Sequence, residues 1–365
     1  MNKLGFGLLR PPMNGEEVDH ALLCQMVDTF MAQGGRYFDT AYVYLKGKSE
    51  EALRDSLTSR YSRDAFELAD KLPINKAENH AQCQEIFDTS LARCGVEYFD
   101  VYLLHGLHRK SYALAQERKG FEFLQQLKAA GKVRRIGFSF HDTADLLDQI
   151  LTEHPEVDCV QLQINYLDWE SPGIQSRLCY ETAVRHGKQV LVMEPVKGGT
   201  LAAVPEEAEA LLKTIDPTAS PASHALRFAQ SLPGVEIVLS GMNTMEQMND
   251  NLRQVEPMNP EELKTLQKVA DVLNSSIAVP CTGCGYCLEH CPQNIPIPRY
   301  FQLFNEHERR PDDVWKLLPA YRQLGQTHGL ASACIACGAC ATNCPQQLPI
   351  PAHMESIRKA FEEVE

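Results

Sequence analysis

The stretch from Asp100 to Ser139, DVYLLHGLHRKSYALAQERKGFEFLQQLKAAGKVRRIGFS, passes from an apolar segment through an amphipathic one to a glycine and a second apolar segment. Asp100 to His105 reads as a short buried strand, Phe121 to Ala130 as a helix, Gly131 as its stop and Arg135 to Ser139 as the next strand. Two strands joined by a crossover helix run parallel. Moving outward, the same alternation predicts strands at Gly5 to Leu9, Tyr37 to Asp39, Phe66 to Lys71, Cys159 to Ile164, Gln189 to Glu194 and Val235 to Ser240. Helices over Glu17 to Gln33, His80 to Arg93 and Ser176 to His186 lie between them and stop at Gly34, Gly95 and Gly187, as helix C-termini prefer. Eight strand-helix units over about 255 residues suit an α/β fold of the (β/α)8 TIM barrel type.

The chain has 365 residues, and single cores stop growing near roughly 250 to 300, so a second, smaller domain is expected. With 44% hydrophobic and 23% charged residues, neither a disordered nor a fibrous protein is suggested. A formal charge of −13 argues against a phosphate-tracking surface, so nucleic acid is not an expected partner. The opening MNKLGFGLLRPP reaches Pro11 and Pro12 before any signal core or membrane span could form, and no later segment spans a bilayer. A cytoplasmic protein without membrane contact is the expectation.

Of thirteen cysteines, Cys24, Cys83, Cys94, Cys159 and Cys179 are scattered and read as small buried hydrophobes, while the other eight fall between Cys281 and Cys344. That change in composition divides the chain into residues 1–275 and 276–365. Cys281-Thr-Gly-Cys284-Gly-Tyr-Cys287-Leu-Glu-His-Cys291-Pro292 follows CxxCxxCxxxCP, and Cys334, Cys337, Cys340, Cys344 and Pro345 repeat it 53 residues later. The repeat continues beyond the cysteines, since CPQNIPIP from Cys291 matches CPQQLPIP from Cys344. Between the copies, Tyr300, Phe301, Leu303 and Phe304, then Val314, Trp315, Leu317 and Leu318, have helical spacing. Gly283, Gly285 and Gly338 permit a tight backbone approach. Zinc is the alternative occupant, but it takes its four ligands as two pairs, whereas each run offers a triplet plus Cys-Pro.

This spacing resembles bacterial two-cluster ferredoxins, and the helical stretch between the runs is similar to the ferredoxin modules of multisubunit oxidoreductases. The resemblance implies two [4Fe-4S] clusters in a small helical two-cluster ferredoxin-like domain. It also implies crossed ligation, in which the fourth cysteine of each run serves the other cluster. The ligand sets are then Cys281, Cys284, Cys287 and Cys344, and Cys334, Cys337, Cys340 and Cys291.

In a (β/α)8 barrel the chemistry sits at strand C-termini. Phe38-Asp39-Thr-Ala-Tyr-Val-Tyr44 ends the second strand, Asp70-Lys71 the third and Leu103-Leu104-His105 the fourth. This resembles the aldo-keto reductases over about residues 3 to 255, in the iron-sulfur subgroup carrying a C-terminal ferredoxin-type domain. The opening Leu4-Gly5-Phe6-Gly7, the Gly131 to Ser139 segment and Gln163 share in the resemblance. It implies a catalytic tetrad of Asp39, Tyr44, Lys71 and His105. Each alone has a plainer reading: Asp39 a turn cap, Lys71 a surface lysine, His105 a core histidine. Together, in family order at consecutive strand ends, they fit one mechanism. A free tyrosine, with a pKa near roughly 10, is a reluctant proton donor at neutral pH, and a neighbouring ammonium favours its ionised form. Asp39 would hold Lys71, and His105 would hydrogen-bond the substrate oxygen.

The resemblance also implies NADP(H) or NAD(H), with contacts from Ser139, Gln163, Met193, Ser240, Gly241, Met242, Gln247 and Asn251. Where relatives pair Ser with Asn, this chain has Ser139-Phe140; where they stack a Tyr on the nicotinamide, it has Met193. Gly241 and Gln247 stand where relatives place a Lys and an Arg on the 2′-phosphate, which removes two charge-assisted contacts. The implied activity is NAD(P)H-dependent interconversion of a small-molecule carbonyl and alcohol, with the clusters serving electron transfer, sensing or structure and a redox partner protein as a further expectation. The alternative is a ferredoxin-like electron-transfer protein whose barrel serves as a docking or substrate-binding body.

Overall fold

The computed structural model describes residues 3–253, 256–309 and 314–363. Eight parallel strands close a barrel: β1 (Leu4–Gly7), β2 (Tyr37–Asp39), β3 (Glu67–Leu72), β4 (Phe99–Leu107), β5 (Val133–Phe140), β6 (Cys159–Gln163), β7 (Gln189–Met193) and β8 (Val235–Ser240). They pair in chain order, and β8 closes onto β1 through Leu4 opposite Val238 and Phe6 opposite Ser240. Tyr37, Ala69, Val101, Leu103, Cys159, Leu191, Ile237 and Leu239 form a buried cluster from alternate strand positions, so the interior is a packed core. Gly137 is required by this packing, because a Cβ there would lie 2.1 Å from the Cys159 carbonyl oxygen.

The helices His80–Cys94, Gly120–Ala129 and Ser176–Arg185 occupy their expected places. Gly34, Gly95, Gly131 and Gly187 all have positive φ, as their reading as helix stops requires. The first helix is shorter than expected and runs His20–Ala32, because Asp19 Oδ1 accepts from Leu22 N at 3.0 Å and so caps it. Glu17–Val18 instead pairs with Met13–Asn14 in a small hairpin that turns at Gly15.

The two ends of the barrel differ in chemistry. At the strand N-termini Arg135 bridges Glu236 at 2.7 Å and Glu67 at 3.0 Å, an ion-paired plug. The C-terminal ends carry Asp39, Lys71, His105, Ser139 and Gln163.

By packing, the chain forms two compact units, Met1–Val196 with Ala222–Pro260, and Lys197–Pro221 with Glu261–Glu365. Composition had drawn the line at 275/276. Packing groups the excursion Lys197–Pro221 and most of the helix Pro260–Ser276 with the cysteine-rich region, because cysteine spacing locates ligands and not the apolar faces beside them.

In the second unit, helices Ile297–Arg309, Val314–Gly325 and Ile350–Glu362 surround a core that includes Tyr300, Phe301, Tyr321, Ile357 and Phe361. Tyr321 stacks on Phe361 at 4.9 Å and lies 4.6 Å from Tyr300. The repeat seen in the sequence is also a repeat of backbone. Gly283 and Ala336, Gly285 and Gly338, and Asn294 and Gln347 are corresponding pairs, and all six have positive φ. The helix after each Cys-Pro begins at corresponding residues, Ile297 and Ile350.

Candidate functional site

Asp39 is the last residue of β2 and Lys71 lies one position from the end of β3, so the register of neighbouring strands brings their side chains together. Lys71 Nζ donates to Asp39 Oδ1 at 2.5 Å and to the Thr40 carbonyl at 2.7 Å, and Lys71 is fully buried. Gln161 Nε2 donates to the other Asp39 oxygen at 3.1 Å. Burial pushes the Asp39 carboxyl up, with the Lys71 charge opposing it. A buried ion pair is stable only when its remaining polar atoms are satisfied, and Gln161 and Thr40 supply those bonds.

Tyr44 sits on the loop after β2. Leu45 and Lys46, which follow it, take φ of 48° and 57°, and Gly47 takes 93°. Left-handed backbone at two non-glycine residues persists only where surroundings enforce it. Here Ser49 Oγ donates to the Leu8 carbonyl at 2.8 Å, and the Ser49 and Thr40 hydroxyls are 2.7 Å apart. The loop thereby sets the Tyr44 ring 4.9 Å from Lys71 Nζ and edge-on to His105 at 5.6 Å between centroids. Burial, then the charges of Lys71 and His141, hold the His105 imidazole well below its usual value, so it is neutral near pH 7.

The four tetrad residues expected from the sequence thus converge. Gln161 and Thr40 were missed, although Gln161 lies two residues before Gln163 on the same face of β6, a period-2 signal. His141 was also missed: burial lowers it to about 4, and its Nδ1 has no hydrogen-bond partner among the described residues.

The other expected barrel residues are spread along the C-terminal ends of β5 to β8. Ser139 Oγ accepts from Gly106 N at 2.7 Å, and Gln163 Nε2 donates to Asp168 Oδ2 at 2.8 Å. Met193 ends β7 half-buried. Ser240 Oγ accepts from Asn251 Nδ2 at 2.8 Å, and Gln247 Oε1 accepts from Asn243 N at 2.8 Å. Gly241 is exposed, whereas the Met242 side chain is fully buried and leaves only its backbone to meet a ligand.

In the second unit the cysteines fall into two groups that mix the runs. Burial pushes the Cys287 thiol up, and the neighbouring Cys284, Cys281 and Cys344 push it further. Burial likewise raises Cys340, whose cysteine neighbours are Cys291 and Cys334. Cys291, Cys334, Cys337 and Cys340 line one pocket together with Ile297, Ile350 and Met354. Backbone amides already point at the sulfurs: Gly283 N donates to Cys281 Sγ at 3.4 Å and Ile295 N to Cys291 Sγ at 3.5 Å. Soft sulfur donors around an apolar cavity suit an iron-sulfur cluster.

The chain is an oxidoreductase by family: it belongs to the aldo/keto reductase family, whose model matches residues 3–271. Residues 280–348 match a 4Fe-4S dicluster domain. An aldo-keto reductase of Mycobacterium avium (strain 104) is 26% identical over 273 residues, 74% of this chain and 87% of that protein. The uncharacterized oxidoreductase YqkF of Bacillus subtilis (strain 168) is 24% identical over 290 residues, 69% of this chain and 88% of that one. Among solved structures, an aldo-keto reductase from Klebsiella pneumoniae in complex with NADPH superposes with a TM-score of 0.62 at 20% identity, covering 74% of this chain and 91% of that one. The holo form of aldo-keto reductase AKR11C1 from Bacillus halodurans gives 0.61 at 23% identity, covering 73% and 91%. No described helix is long and apolar enough to cross a membrane.

Proposed function

We propose that this protein interconverts a small-molecule carbonyl and its alcohol with NADPH or NADH, using Tyr44, Lys71, Asp39 and His105, and carries two [4Fe-4S] clusters. The observation that carries the reading is the placement of Lys71 Nζ between Asp39 and the Tyr44 ring. Tyr44 donates its phenolic proton to the carbonyl oxygen as carbon is reduced. Lys71 stabilises the phenolate left behind, Asp39 keeps the ammonium in place, and Gln161 keeps Asp39 in place. His105, being neutral, orients the substrate oxygen by hydrogen bonding and leaves protonation to Tyr44.

Ser139, one residue before the end of β5, and Gln163, Met193 and Ser240, which end β6, β7 and β8, form an arc suited to the nicotinamide end of the cofactor, with Gly241, Met242, Gln247 and Asn251 beyond it. The NADPH bound by the Klebsiella relative supports that assignment. Cys281, Cys284, Cys287 and Cys344 would hold one cluster, and Cys291, Cys334, Cys337 and Cys340 the other. When bound, the nicotinamide supplies hydride and the clusters exchange single electrons, which leaves a redox partner protein as a further expectation.

The test uses anaerobically purified protein, assayed for iron, labile sulfide and zinc, then for NADPH and NADH oxidation across a panel of aldehydes and ketones. About eight irons and eight sulfides per chain, with turnover of at least one carbonyl class, are expected. Clusters without any carbonyl-dependent oxidation would favour the electron-transfer reading.

A further inference from the structure

The two cysteine sites share one repeated backbone, so they differ through side chains, both those between the cysteines, such as Thr282 against Ile335, and those packed on from outside the repeat. One such residue is Lys197, which opens the excursion Lys197–Pro221 of the second unit. Its side chain is 1% exposed, and its Nζ donates to Gln346 Oε1 at 3.2 Å. Gln346, itself 8% exposed, lies two residues after Cys344. The turn leaves this lysine little freedom. Lys197 has φ of 48°, and Gly198, at 62°, has its Cβ position 2.2 Å from the Thr282 carbonyl oxygen, so no side chain fits there. Thr282 lies between Cys281 and Cys284. Backbone wedging on one side and the Gln346 bond on the other therefore fix a buried cation beside the group Cys281, Cys284, Cys287 and Cys344.

The lining of the other copy's pocket includes His290, Gln293 and Ile335 with the four cysteines, but no lysine or arginine among the described residues. Cys337 on that side is exposed where its counterpart Cys284 is half-buried, and Ile335 is 61% exposed where its counterpart Thr282 is buried, although the third cysteines Cys287 and Cys340 are equally buried.

We propose that Lys197 makes the two clusters unequal, raising the reduction potential of the one held by Cys281, Cys284, Cys287 and Cys344 above that of its partner. The proposal rests on the ligand sets proposed above. Reduction adds one negative charge to a cluster, and a fixed positive charge in a site shielded from water favours the more negative state. With both clusters bound, an electron from a low-potential one-electron donor reaching the exposed Cys337 side would move on to the Lys197 side, one cluster losing the electron that the other gains, with no bond made and no proton moved.

The experiment is a redox titration of the full-length protein with dithionite, followed by electron paramagnetic resonance, on wild type, Lys197→Met and Lys197→Arg, with iron and sulfide assays in parallel. Wild type should show two one-electron steps. Lys197→Met should move the upper step negative by about tenfold in its reduction equilibrium, ~59 mV for one electron, and leave the lower step in place. Lys197→Arg should keep both. If Lys197→Met does not assemble both clusters, Lys197→Gln, neutral but still able to bond Gln346, repeats the comparison. Both steps unmoved, or both moved equally, at full iron content would overturn the proposal alone. Wild type holding zinc and no labile sulfide would overturn the ligand sets and this proposal with them, an outcome the metal assay separates from a missing shift.

Discussion

At the scale of single residues, the proposed chemistry depends on a proton that only Tyr44 is placed to give. Tyr44→Phe keeps the ring against Lys71 and His105 but removes the proton. Carbonyl reduction should fall by about 10² to 10⁴-fold, the usual contribution of general acid catalysis, with nicotinamide affinity little changed in a fluorescence titration. Lys71→Met should move the pH profile of turnover alkaline, since the phenolate loses the ammonium that stabilises it. Histidines give a second prediction, on stability. His105 lies well below its ordinary value and His141 at about 4, because burial disfavours their charged forms. A histidine depressed on folding stabilises fully above its unfolded value, near 6.5. It loses that contribution as pH falls, because the unfolded chain takes up a proton the native one refuses. Urea unfolding should therefore show stability declining between about pH 6.5 and pH 4, and His141→Asn should flatten the slope by up to one proton. An equal slope in wild type and variant would show that His141 is not a source of it.

At the scale of elements, the prediction is that ligation crosses between the two runs. Cys291 belongs by sequence to the first run, yet it lines the cavity of Cys334, Cys337 and Cys340. Cys291→Ala should therefore damage the cluster of the second run and leave the other spectroscopically intact, with iron per chain falling by about half. Loss confined to the cluster of Cys281, Cys284 and Cys287 would mean that each run closes on itself. The loop after β2 works at the same scale. Its hydroxyl bonds from Ser49 to Leu8 and Thr40 hold the left-handed turn that aims Tyr44.

At the scale of the whole molecule, the eight strands close without the cysteine-rich region, and their inner cluster is drawn from strand residues alone. A chain ending at residue 275 should keep a cooperative barrel, seen as a single unfolding transition by circular dichroism. It also deprives Lys197–Pro221 of residues that segment packs with, including Thr282 and Gln346. Limited proteolysis of the truncated chain should then cut first within 197–221, at sites protected in the full-length protein. Insolubility of the truncated chain would show that the barrel depends on the C-terminal unit for cover.

The amino-acid sequence by itself determined the strand-helix alternation, the strand-end places of Asp39, Lys71 and His105, and the spacing of the eight cysteines from Cys281 to Cys344. These are local patterns, written in periods of two and 3.6 residues and in fixed gaps between thiols. Tertiary structure alone decided which distant residues support them. Gln161 reaches Asp39 because β2 and β6 face the same barrel interior, a closeness no spacing encodes. Lys197 stands beside the Cys344 site because an excursion after β7 packs with residues far along the chain. Pairings between distant segments are settled by which apolar faces bury one another, and that is a property of the folded chain as a whole.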